Sequence, residues 1–292
     1  MPKSLRVGKK NNINMRKIIL MSVLSVSLIA NGLYAQGAYV SLNAGYGLGS
    51  SSQSLANTTK TSGSSSTITT EENVNLSLGK GLNFGGTFGY MLNKNIGAEL
   101  GLSYLIGGTT TQKNASTGSS TNYYSTNTDY SASMLRINPS IVIASGLDGI
   151  NPYAKFGAVI GTGSFTADVN ESQTYSSKTS VFKQTTKYSG GLAVGVSASL
   201  GASFKLNDKI SLFGELALIS LSYAPTKGEI TAYTENGADK LSSLTTNDKQ
   251  TDFVDKTTTT STATPDSQPN QQLKSKYPFG SFGLNIGLKY TL

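Results

Sequence analysis

The sequence contains no histidine, no cysteine and no tryptophan. Without histidine there is no Ser-His-Asp triad and no ordinary His-containing zinc site, and without cysteine there is no thiol nucleophile, disulfide or lipoprotein anchor. Charge is sparse too, at 14% of residues, and past Ala30 no apolar run is long enough for a membrane-spanning helix. A formal charge of +8 points at first to anionic partners. Of the 24 basic residues, however, six (Lys3, Arg6, Lys9, Lys10, Arg16 and Lys17) fall in the first 35 positions, leaving 18 bases against 16 acids. The remainder is close to neutral, so nucleic acid is excluded as a partner.

What the chain does have is 32 glycines, 15 tyrosines and one pattern repeated along its length. From Ser281 to the final Leu292, Phe282, Leu284, Ile286, Leu288, Tyr290 and Leu292 alternate with Ser281, Gly283, Asn285, Gly287, Lys289 and Thr291. A period of two makes one strand face apolar and the other small or polar. The same alternation runs through Ala38 to Leu48, Leu82 to Tyr90, Ile96 to Ile106, Leu135 to Ile143, Ala154 to Ile160, Leu192 to Leu206 and Ile210 to Leu218. Pro139 removes a ladder donor from its strand, and a bulge or register break is expected there.

The connections alternate in length. Turns at Leu92-Asn93-Lys94-Asn95, Gly146-Leu147-Asp148-Gly149 and Asn207-Asp208-Lys209 are short, whereas 49–75, 107–129, 165–186 and 225–275 are long and rich in Ser, Thr and Asn. The long ones read as solvated loops whose composition cannot build a large apolar core. At the other end, Met15-Arg16-Lys17 precedes an apolar stretch from Ile18 to Ala30, and Leu33-Tyr34-Ala35 offers a small residue for cleavage. Residues 1–35 are therefore expected to be an extension, with Met1 or Met15 as the start, plus a cleavable signal peptide, and 36–292 the folded domain.

Mild mean hydropathy, -0.17, combined with strict alternation and unequal connections predicts an all-β fold. The expectation is an eight-stranded antiparallel transmembrane β-barrel with short periplasmic turns and long extracellular loops. A soluble barrel would need a charged exterior, but the polar faces carry little beyond Glu99, Arg136, Lys155 and Glu215. Those four are expected to meet as a charge cluster in the lumen, pairing because an isolated buried charge is costly. They would form either a stiffening salt-bridge plug or a gating constriction. Inward glycines are expected to make room beside larger neighbours; Gly161-Thr162-Gly163 and Gly45-Tyr46-Gly47-Leu48-Gly49 lack the helix and lysine of a phosphate cradle. Tyr46, Tyr104, Tyr188 and Tyr223 beside long loops, with Tyr90 and Tyr290 at the opposite rim, are assigned to two interfacial girdles.

The leader, the eight alternating segments, the loop asymmetry and the terminal Leu284-Asn285-Ile286-Gly287-Leu288-Lys289-Tyr290-Thr291-Leu292 resemble the OmpA/OmpX-type outer-membrane β-barrels, the small porin-like and opacity-like surface proteins. The resemblance covers residues 36–292. It implies the outer membrane of a Gram-negative bacterium, surrounding lipid as partner, and recognition of the last strand by the barrel-assembly machinery. No cofactor or metal is expected. The expected role is a non-catalytic envelope component and adhesion scaffold that meets host or environmental molecules through loop tyrosines Tyr123, Tyr124, Tyr175 and Tyr233. The alternative is a small passive porin.

Overall fold

A computed structural model describes residues 37–50, 54–62, 68–75, 77–117, 122–257 and 265–292. The expected leader and its cleavage site lie outside them. Eight strands build the wall: β1 (Gly37–Gly49), β2 (Gly81–Met91), β3 (Ile96–Gly107), β4 (Tyr123–Ala144), β5 (Ile150–Tyr175), β6 (Ala193–Lys205), β7 (Ile210–Tyr223) and β8 (Ser281–Thr291). Each pairs antiparallel with the next, and β8 returns to β1 in unbroken register from Tyr39↔Thr291 to Gly49↔Ser281. The ring is closed, so the wall has no unpaired edge.

Alternation decides which way each side chain points. Leu42, Phe156 and Ile286 are 73%, 63% and 60% exposed on the outer face, while their neighbours Ser41, Lys155 and Asn285 turn inward. Such a continuous apolar exterior is intolerable in water and stable in lipid.

The interior has little room, and cross-strand pairs divide it unequally. Tyr39 pairs with Gly89, Tyr153 with Gly201 and Phe213 with Gly287, and each ring lies over its glycine partner. A Cβ at those glycines would come within 2.2, 2.7 and 2.6 Å of the respective ring. The absent side chain is thus the space that the aromatic fills.

The short turns rest on asparagine. Asn93 Oδ1 accepts from the backbone N–H groups of Asn95 and Ile96, both at 2.8 Å, and Asn207 Oδ1 does the same for Lys209 and Ile210 at 2.9 and 2.8 Å. Side chain replaces backbone in closing the turn.

The expected bulge or register break at Pro139 does not occur. β4 and β5 keep one register from Ile137↔Ile160 to Ser140↔Gly157, and only the bridges at Asn138 and Pro139 are missing. Asn138 Nδ2 donates to the Ala158 carbonyl at 2.9 Å, supplying a donor where proline has no N–H.

The long connections are not the unstructured loops that their composition suggests. β4 and β5 run on past the apolar band, paired from Ser133↔Ser164 up to Tyr123↔Thr174, a rise of roughly 30 Å. Strands Thr110–Thr117, Lys178–Ser189, Lys227–Glu235, Gln250–Val254 and Asn270–Leu273 continue this sheet on both flanks, and Ser54–Ser62 and Ile68–Asn75 add a further hairpin. Ser176 and Ser177, both at positive φ, make the two-residue turn from β5 into Lys178–Ser189.

Filling a glycine niche should overpack the barrel. A Gly89→Leu substitution drives a side chain into the Tyr39 ring and is expected to cost about 1–3 kcal/mol. The readout is the urea midpoint of folding into phospholipid vesicles, with Gly89→Leu/Tyr39→Ala recovering most of the loss.

Candidate functional site

The lumen is layered, and each layer follows from inward positions at one height of the wall. Nearest the short turns is a polar cavity of about 120 Å3, bordered by Tyr39, Lys94, Glu99, Tyr153, Lys155 and Lys289. Lys155 Nζ lies 3.0 Å from Glu99 Oε2 and 3.1 Å from Glu215 Oε2, so one ammonium holds two carboxylates. Every carboxylate oxygen is engaged. The Tyr39 hydroxyl donates to Glu99 Oε1, the Tyr153 hydroxyl to Glu215 Oε2 at 3.2 Å, and Asn285 Nδ2 to Glu215 Oε1 at 3.2 Å. Lys155 further sits over the Tyr153 and Phe213 rings, 4.9 and 5.6 Å from their centroids. Lys289 Nζ stands 5.2 Å from the centroid of the Tyr39 ring.

All four of the charges expected to meet line one cavity, but only Glu99, Lys155 and Glu215 ion-pair there. Arg136 points inward from β4 but ion-pairs with no carboxylate among the described residues; its Nη2 donates to Asn83 Oδ1. The reason is register: Arg136 lies opposite Ser103, four positions along β3 from Glu99. It borders the second layer, a cavity of about 90 Å3 with Asn43, Asn83 and Asn138 along one part of its wall and the Glu99–Lys155–Glu215 triad along another.

The third layer is apolar and seals the long-loop end. Leu105, Met134, Val159, Phe165, Ala193, Leu221, Tyr223 and Phe279 form one buried cluster. Its aromatics interlock. Phe165 stacks on Tyr188 at 4.5 Å, and the Tyr223 and Phe279 rings meet edge to face at 5.4 Å. The Tyr223 hydroxyl bridges the Gly163 and Gly190 carbonyls at 2.8 and 2.6 Å, tying β5 to the turn before β6.

A family described as "Outer membrane protein beta-barrel domain" matches residues 18–253. The chain belongs to this family. Among solved structures, Neisserial surface protein A (NspA) is similar at 11% identity and a TM-score of 0.37, covering 88% of this chain and 99% of that one. CarO2 of Acinetobacter baumannii is similar at 12% identity and a TM-score of 0.33, covering 90% of this chain and 100% of that one. No curated protein matches the sequence. The protein is thus an outer-membrane β-barrel of a Gram-negative bacterium, a class in which short turns face the periplasm and long connections the exterior.

Two of the six tyrosines assigned to the interfacial girdles are not there. Tyr223 is 0% exposed, inside the apolar plug, and Tyr188 is half-buried among Phe165, Phe253 and Tyr277 on Lys178–Ser189, beyond the wall. Burial pushes the Tyr188 hydroxyl up to about 12, so it stays neutral. Tyr46, Tyr90, Tyr104 and Tyr290 do lie on the outer face, the first and third toward the long loops and the others toward the short turns. The barrel's composition alone did not single out Lys289, Tyr39 and Tyr153, yet their odd positions on inward faces carry the signal.

The triad is a buried ionic unit, with side-chain exposures of 15% for Lys155, 7% for Glu99 and 9% for Glu215. Removing the ammonium leaves two buried carboxylates. Lys155→Met is expected to lower stability by about 3–5 kcal/mol, while Glu99→Gln/Lys155→Met/Glu215→Gln recovers most of it. Urea unfolding in vesicles measures both, and an unaffected single variant contradicts the account.

Proposed function

We propose that this outer-membrane β-barrel is a non-conducting, non-catalytic envelope component whose rigid external sheet contacts molecules at the cell surface. The observation that carries the reading is the apolar plug. A conduit needs a continuous polar path, and past the two polar cavities only about 20 Å3 of space, between Arg136, Leu105, Gly79, Gly81 and Ser281, lies beside the buried Leu105, Met134, Val159, Tyr223 and Phe279. Close packing of mainly apolar side chains, with the Tyr223 hydroxyl already engaged by carbonyls, excludes water and hydrated ions more firmly than a charged constriction does. The porin alternative requires this layer to open.

The contact half of the proposal rests on the tip of the sheet. Tyr123, Tyr124 and Tyr175 gather where β4 begins and β5 ends, at 44%, 38% and 73% exposure. Tyrosines held on a paired β-ladder offer large amphipathic surface at little entropic cost, which suits recognition. Tyr233 sits on a neighbouring external strand, Lys227–Glu235. Removal of the leader near Ala35 and insertion through the last strand by the assembly machinery belong to the same reading.

Planar-bilayer recording tests the closed lumen. The wild-type protein is expected to be electrically silent and a Tyr223→Ala/Phe279→Ala variant to show discrete openings; reproducible wild-type openings overturn the proposal. For the sheet, cells displaying Tyr123→Ser/Tyr124→Ser/Tyr175→Ser protein are expected to adhere several-fold less than wild type to matrix- or glycan-coated surfaces. Equal adhesion removes the tip from the account.

A further inference from the structure

We infer that the lumen holds a small monovalent inorganic anion, of the size of chloride, against the Arg136 guanidinium. Arg136 is 2% exposed, on the inner face of the wall just beneath the apolar plug. Its only side-chain partner there is a neutral amide, Asn83, and its Nε finds no acceptor among the described residues. A guanidinium taken out of water without a counter-charge is among the costliest arrangements a folded chain can adopt.

The protein's own carboxylates do not provide that counter-charge. Glu99 and Glu215 are held by Lys155 at 3.0 and 3.1 Å, and they also accept from Tyr39, Tyr153 and Asn285. Lys289 lines the same mouth cavity as Glu99 and ion-pairs with neither acid among the described residues. Among the inward residues of the wall strands, Glu99 and Glu215 stand against Lys155, Lys289 and Arg136, which leaves one positive charge in excess.

The space beside it suits one small ion. The cavity of about 90 Å3 is bounded by Arg136 together with Ser103, Ser140, Ser197 and Ser199. A water takes up about 30 Å3 in the liquid, so there is room for one halide-sized anion and a water or two. Ser103 is the cross-strand neighbour of Arg136. Ser197 Oγ accepts from Asn138 Nδ2 at 2.7 Å, which leaves its own hydroxyl proton to donate into the cavity. Glu99 and Glu215, with the Lys155 that bridges them, border the same space, and the net negative charge of that triad favours a single negative charge over phosphate or sulfate.

The test compares the full-length mature protein in detergent micelles in sodium chloride and sodium gluconate at equal ionic strength. Chloride is expected to raise Tm by about 2–4 °C, because a ligand bound only by the folded state stabilises it. Nitrate and bromide should do the same, and Arg136→Met should abolish the difference. Equal wild-type Tm values in the two salts overturn the inference, as does a chloride shift that survives in Arg136→Met. If that variant does not fold, chloride NMR decides on the wild type alone. Excess line broadening that bromide reverses supports the site, and its absence overturns it.

Discussion

Inside a bilayer no water is available to satisfy backbone N–H and C=O groups, so a strand can cross only if both of its edges are paired. Everything in this structure descends from that constraint. The eight wall strands answer it by closing β8 onto β1, and closure leaves the side chains only two destinations. Bulky hydrocarbon goes to lipid, and whatever remains has to fill a narrow tube. Even the exception obeys the rule: where Pro139 deprives the ladder of a donor, Asn138 supplies one from its side chain.

Filling the tube is the second problem, because eight strands enclose too little room for large residues at every inward position. The solution is pairwise. Each of Tyr39, Tyr153 and Phe213 faces a glycine on the next strand. The rings then support the polar layer chemically as well as sterically, since two of them donate hydroxyls to the carboxylates and two lie against the Lys155 ammonium. A buried ion group of this kind costs desolvation, and it persists because every carboxylate oxygen is engaged.

The wall was legible in the sequence because period-two alternation is a direct imprint of lipid on one side and lumen on the other. The parity of Phe282 to Tyr290 and of Val40 to Leu48 is the parity of the structure. Parity also held the answer for Tyr223, which shares its odd register on β7 with inward Phe213 and Glu215. Reading it instead by nearness to a loop placed it in the wrong environment. Arg136 was harder, since alternation gives the face and not the height, and height depends on the stagger between strands. The external strands escaped notice for a different reason. Thr110–Thr117 and Lys178–Ser189 have water nearby on both faces, so nothing imposes alternation on them, and Ser/Thr/Asn-rich ladders look like loops.

The same reasoning explains why the two ends of the barrel differ so much. On the periplasmic side each strand stops as soon as lipid stops, and an asparagine side chain closes the turns at Asn93 and Asn207. On the outer side the ladder of β4 and β5 continues beyond lipid, where edges no longer need to be paired because water satisfies them. The sheet therefore opens out instead of closing, and its outermost described strands are Ile68–Asn75 and Asn270–Leu273. Where the closed part meets the open part, inward positions would face a widening, wet mouth. The chain places Phe165, Tyr223 and Phe279 there, so the change from closed ring to open sheet coincides with the layer that separates lumen from exterior.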